Sequence, residues 1–188
     1  SDTQIEELDA FRGIYERTAH IRLIMGAIAR AIETEGRVRH HVLLYGEPGA
    51  AKTDTIAAIK TLLPDNAYVS LNADSMTRAG LQKTFFKQLS ETGVPPLMFM
   101  EEFEKVSDEK VLQPFLSLLD QRGMIEKNTA RQQERLHART LVIATANDKI
   151  YFDMMCGGRR LPNGTVHPGA ISSRFVHQFE VLRPNMDT

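Results

Sequence analysis

Residues 41–53, "HVLLYGEPGAAKT", constrain the fold of this chain more than any other stretch. A short apolar run, read as a buried strand, feeds a glycine-bearing turn that closes on Lys52-Thr53, and a helical pattern follows. That order matches a phosphate-binding loop, written G-x-x-x-x-G-K-[ST]. Such a loop works because successive backbone N–H groups and a helix N-terminus converge on an anion. Gly46 and Gly49 are kept, Glu47, Pro48 and Ala50 complete the turn, and Ala51 stands where the last glycine belongs. Ala51 falls at the start of the helix, so helical dihedrals are expected of it, with crowding by one methyl group as its cost. Lys52 is placed to reach terminal phosphates, and the Thr53 hydroxyl to bind Mg²⁺. Alone, so degenerate a loop reads equally well as an alanine-rich turn.

The surrounding pattern is one of strands alternating with helices. Ile21, Ile24, Ile28 and Ile32 recur at helical spacing, and Gly36 ends that helix. After Lys52-Thr53, Ile56, Ile59 and Leu63 mark one face of a second helix stopped by Pro64. "AYVSL" (67–71) is a second strand, and residues 80–91, with Leu81, Phe85 and Leu89, a helix. Pro95-Pro96 introduces the strand "LMFM" (97–100). Residues 107–120 read as a helix that Pro114 must kink or start late, because an interior proline costs about 3 kcal/mol. "TLVIATA" (140–146) and residues 176–181 supply the last two strands. This alternation predicts a parallel sheet covered by helices on both faces. Residues 123–139 and 156–169 break the rhythm and read as inserted loops or hairpins, not linkers.

Two further stretches place chemistry at strand ends. "LMFMEEFEK" (97–105) is an apolar strand ending in acids, and strand ends converge on the phosphate site in such sheets. Glu101 is the position for assisting Mg²⁺, and Glu102 the position for polarising an attacking water as general base. "TLVIATAND" delivers Asn147 beside the same phosphates. "PGAISSRFVHQF" sets Arg174 just before the last strand, where it is a candidate to stabilise transferred phosphoryl charge in a neighbour's site.

Taken in order, these elements resemble the AAA+ ATPases over nearly the whole chain. Residues 46–53 match Walker A, 97–102 Walker B, Asn147 sensor 1 and Arg174 the arginine finger. Alanine before the lysine looks like the version in minichromosome maintenance helicases and some MoxR-type ATPases. "EEFEK" and "ISSRF" are similar to segments of those helicases. The resemblance implies an α/β P-loop NTPase fold of AAA+ type, with a five-stranded parallel sheet flanked by helices. It also implies ATP and Mg²⁺ as ligands and a homo-oligomeric ring, of six subunits in the usual case. Glu101 departs from the family's aspartate. The chain stops at "VLRPNMDT", where family members begin the helical lid, so residues 1–188 are expected to form the large ATP-binding domain without a lid.

Composition limits the other possibilities. In 188 residues, 42% are hydrophobic and 25% charged, within the range of one globular domain. The net charge of -1 points to neither nucleic acid nor membrane. Cys156 is the only cysteine, which excludes an internal disulfide and fits a reducing cytoplasm. It reads as a packed thiol. No apolar run is long enough to span a bilayer. Arg122, Lys127, Arg131, Arg135 and Arg139, set against Glu126 and Glu134 over residues 122–139, are candidates for phosphate contact, although a solvated charged hairpin is the simpler reading. "GGRRLPNG" reads as a flexible surface loop, and His40-His41 point to opposite faces of a strand. Three functions stay open: an ATP-driven ring machine, a nucleotide-gated module with little turnover, and a nucleic-acid remodeller.

Overall fold

The computed structural model describes residues 18–73, 76–93, 97–106, 109–128 and 133–183. Ser1-Asp2, Pro95-Pro96 and Arg131 lie outside them. Helix α1 (Thr18–Glu33) buries Ile21, Ile24 and Ile28 of the stripe that the periodicity predicts, whereas Ile32, in its last turn, is 64% exposed. Strand β1 (Val42–Tyr45) leads through the loop to α2 (Lys52–Thr61). Strand β2 (Tyr68–Asn72), helix α3 (Arg78–Thr92) and strand β3 (Leu97–Glu101) follow. Helix α4 (Glu109–Leu119) runs continuously through Pro114, so the proline does not start it late. Then come β4 (Met124–Asn128), β5 (Gln133–His137), β6 (Val142–Ala146) and α5 (Lys149–Met155). Strands β7 (Arg159–Arg160), β8 (Val166–His167) and β9 (His177–Glu180) complete the order.

The main sheet has five parallel strands in the order β2-β3-β6-β1-β9. Alternate side chains leave opposite faces of a strand, and both faces are packed here. Leu43, Met98, Met100, Val142 and Ala144 face one core with Phe103, Phe115, Phe152 and Phe175. Val42, Leu44, Leu97, Phe99 and Ile143 face the other, against α1 and α2. Burial on both sides explains why these strands read as continuous apolar runs.

Both inserted segments form antiparallel hairpins, β4-β5 and β7-β8. In the first, the register sets Glu126 opposite Arg135 and Lys127 opposite Glu134. The second hairpin corrects the expectation of a flexible loop at "GGRRLPNG": Arg159 pairs with His167 and Arg160 with Val166. His41 is buried, and its Nδ1 accepts the backbone N–H of Val142 at 3.0 Å, so it joins β1 to β6. No helix among the described residues is long and apolar enough to cross a membrane.

Candidate functional site

Strand order creates the site. β6 lies between β1 and β3, so the C-terminal ends of three adjacent parallel strands release Gly46, Asn147 and Glu102 along one edge. In parallel sheets this edge is where ligands bind.

The loop itself is held in a left-handed, anion-cupping course. Gly46 has φ 151°, Gly49 φ 81° and Ala51 φ 58°. A side chain on Gly46 would meet the Val181 carbonyl, whose own N–H donates to Tyr45 O at 2.7 Å. Ala51 corrects the sequence expectation. It is not helical but left-handed at the N-cap of α2, with ψ 25°. Its cost is therefore backbone strain, about 1–2 kcal/mol for a residue with a Cβ, and not methyl crowding. No side chain caps the N-terminus of α2, so its first N–H groups are left for a ligand.

Lys52 is 6% exposed, and its ammonium donates to Gly46 O at 2.7 Å and Glu47 O at 2.9 Å. Burial lowers its pKa, while the charges of Glu104 and Glu102 oppose that shift. The lysine is thus parked on the loop's own carbonyls. Thr53 is exposed on the first turn of α2. Pro48 and Glu47 form the outer lip, where Arg183 Nη2 donates to Pro48 O at 2.9 Å and Nε lies 3.5 Å from Glu47. Ala50 is fully buried beneath.

Glu102 and Asn147 meet directly. Asn147 Nδ2 donates to Glu102 Oε1 at 3.1 Å, while Lys105 Nζ donates to Glu102 Oε2 at 2.6 Å. The Lys105 contact, more than the asparagine, holds the Glu102 carboxyl below the usual carboxylate range. Glu102 is left-handed (φ 53°), and its N–H donates to Thr145 Oγ1 at 3.1 Å. That conformation turns its side chain out of the strand's alternation and along the site edge.

Glu101 behaves differently. It pairs with Lys60 on α2 at 3.3 Å, and Lys60 also lies 5.3 Å from the centre of the Phe99 ring. Thr53 and Glu101 are hard oxygen donors of the kind a divalent cation takes, and the uncapped helix end and parked lysine fit phosphate. A cation approaching Glu101 must compete with Lys60.

Glu104 is a residue that sequence reasoning missed. It is 4% exposed, and its Oε1 accepts the Asn147 backbone N–H at 2.8 Å. Its Oε2 finds no partner among the described residues. The third acid of "EEFEK" was the available signal. Arg174 stands apart from all of these. It precedes β9, whose first residue pairs with the first of β1. It therefore lies at the opposite end of the sheet from Gly46, a strand length or roughly 13 Å away. Its Nη1 donates to Ala170 O.

A cavity of about 650 Å³ lies at that far end too, lined by Ile32, Leu63, Leu97 and Leu141, and contains none of the site residues. Cys156 is buried, its thiol pushed up to about 12 by burial first and then by Asp153, as expected of a packed thiol.

Comparison with known proteins agrees with this geometry. The family model for the AAA domain of the dynein-related subfamily matches residues 41–156, from the residue before β1 to the residue after α5. Among curated proteins, nothing matches the chain. The match covers more than half of the sequence and encloses the loop, the acids and Asn147: the chain belongs to the AAA+ ATPase family.

Proposed function

We propose that this chain binds Mg-ATP on residues 46–53 and hydrolyses it at the interfaces of a homo-oligomeric ring, to work on a macromolecular substrate. In this reading residues 1–188 make one large ATP-binding domain with two inserted hairpins. The observation that carries the reading is the meeting of Asn147 with Glu102 beside a lysine whose ammonium is bonded to its own loop.

When ATP arrives, Lys52 exchanges the Gly46 and Glu47 carbonyls for phosphate oxygens, which carry more charge and hold it more strongly. The α2 N-terminus and the left-handed turn supply N–H donors to the same anion. Thr53 and Glu101 would hold Mg²⁺, which would supply charge neutralisation on the phosphates. Glu102 takes the proton of the attacking water, and Asn147 fixes the direction of the Glu102 carboxylate. The ion pair with Lys105 makes Glu102 a weaker base, so productive chemistry requires that contact to loosen. Arg174 is too distant to serve its own loop, which favours action on a neighbour's nucleotide.

Steady-state ATPase assays across protein concentrations test this, with Glu102→Gln and Arg174→Ala as comparisons. Turnover per subunit should rise with concentration and collapse in both variants. Turnover absent at every concentration, with ATP still bound, would favour a second reading: a nucleotide-gated module with little hydrolysis. Two contacts support that alternative, Lys60 on Glu101 and Lys105 on Glu102. Nucleic-acid remodelling is favoured less, since a net charge of -1 offers phosphates no overall attraction.

A further inference from the structure

We infer that Asp153 is a positioning residue that fixes the reach of Arg174 and ties it to the nucleotide loop of the same chain. This rests on the reading of Arg174 as acting on a neighbour's nucleotide. The two ends of the sheet are a strand length apart, and α5 spans the gap. It starts two residues after Asn147, where Asp148 Oδ1 caps it by accepting the Tyr151 N–H at 2.9 Å. Seven residues carry it about 10 Å back along the sheet.

Asp153 sits on the buried side of that helix, 8% exposed. Its carboxylate accepts the hydroxyl of Ser172 at 2.5 Å and the ammonium of Lys149 at 2.5 and 2.6 Å. Ser172 is fully buried and opens the single helical turn that ends on Arg174. On the other side, Lys149 Nζ lies 6.0 Å from the ring centre of Tyr45 and 5.9 Å from that of Phe152, within cation–π range. Tyr45 immediately precedes Gly46. A continuous chain of contacts therefore runs from the loop's strand through Lys149 and Asp153 to the turn that presents Arg174.

Packing reinforces the polar links. Phe175, next to Arg174, lies 5.7 Å from Phe152 on α5 and 6.0 Å from Phe103, which follows Glu102. A side chain at Gly169 would strike the Cys156 carbonyl at the end of α5, so the segment entering the turn lies flush against that helix. A buried, fully engaged carboxylate in such surroundings specifies one arrangement. Neither Lys149 nor Ser172 can shift without displacing the other through Asp153.

The test uses the full chain at concentrations where turnover per subunit has reached its plateau. Asp153→Asn keeps the shape and an acceptor for Ser172 but loses the ion pair, and Ser172→Ala removes only the hydroxyl. Each is measured alone and combined with Arg174→Ala, for kcat, KM and ATP affinity by a fluorescent analogue. Expected is a fall in kcat of about ten- to hundredfold, with KM and affinity within about twofold. The double variants should be no slower than Arg174→Ala alone, because residues acting through one group are non-additive. A merely structural defect would instead multiply with Arg174→Ala, and that result overturns the inference. So does normal kcat in both Asp153→Asn and Ser172→Ala while Arg174→Ala is slow. If Arg174→Ala itself turns over normally, the parent reading of the arginine falls, and this inference with it. Should Asp153→Asn fail to fold, Ser172→Ala carries the same comparison.

Discussion

Glu104 and Asn147 are joined through the backbone: the Glu104 carboxylate accepts the Asn147 N–H at 2.8 Å. The side chain of the same asparagine is bonded to Glu102. Two acids of one short segment therefore grip one residue at both its backbone and its side chain. The second Glu104 oxygen is buried without a partner among the described residues, which sharpens the cost of disturbing it.

Glu104→Ala should release the Asn147 backbone and lower kcat by about tenfold or more, since a lost buried bond of this kind is worth about 1–3 kcal/mol. Glu104→Gln retains an acceptor oxygen and should lose less. Steady-state kinetics with a parallel ATP-binding measurement checks this. Equal losses in the two variants would show that the charge, not the bond to Asn147, is what matters.

Ala51→Gly should stabilise the protein. Glycine removes the left-handed strain at φ 58° but gains freedom in the unfolded chain. The expected net is about 0.5–1 kcal/mol, read from the urea midpoint at constant m-value. Ala51→Val, β-branched at the same position, should destabilise instead. A glycine variant less stable than the parent would contradict the left-handed assignment.

Lys60→Met should free Glu101 from its ion pair while keeping the stem over Phe99. Half-saturating Mg²⁺ for turnover should then fall about two- to fivefold, the scale of a partly exposed pair. An unchanged Mg²⁺ dependence would mean that Glu101 takes no part in holding the cation.

His41 makes stability pH-dependent. Burial, and then the positive charge of Arg39, hold its pKa at about 3 against an ordinary 6.5. Between those values the unfolded chain takes up a proton that the folded one refuses. Stability is therefore full above pH 6.5 and falls as pH drops from 6.5 toward 3, by up to about 1.4 kcal/mol per pH unit from this group. Denaturant titrations from pH 7.5 to 4.5 measure it. His41→Asn, which can still accept the Val142 N–H, should flatten that slope.

The sheet and its alternation were legible because strands buried on both faces are written as uninterrupted apolar runs. Asn147 was legible because it follows such a run directly, Glu102 because a single acid separates it from one, and Lys52 because a glycine-bearing turn links it to one. Ala51 was misjudged for a physical reason. Its backbone angles are set by closure of the loop over Lys52 and Val181, which no local propensity encodes. Glu104 was passed over because a charged residue in a turn ordinarily faces water, and only the fold shows it sealed under Asn147. Lys60 and Arg183 reach the site from eight residues into α2 and from beyond β9, so proximity in sequence could not reveal them. At residues 156–169 the sequence left loop and hairpin both open, because strands only two residues long carry no readable alternation.

The bond from Val181 N–H to Tyr45 O has a mechanical meaning. Gly46 lacks a side chain so that the chain leaving β9 can lie directly behind the phosphate loop, with Arg183 folded over the loop's lip. The course of the loop at residues 46–53 and the direction in which the polypeptide leaves β9 are thus set by the same contact. Any side chain at position 46 would therefore have to displace the chain leaving β9, so the loop and that exit are built against each other.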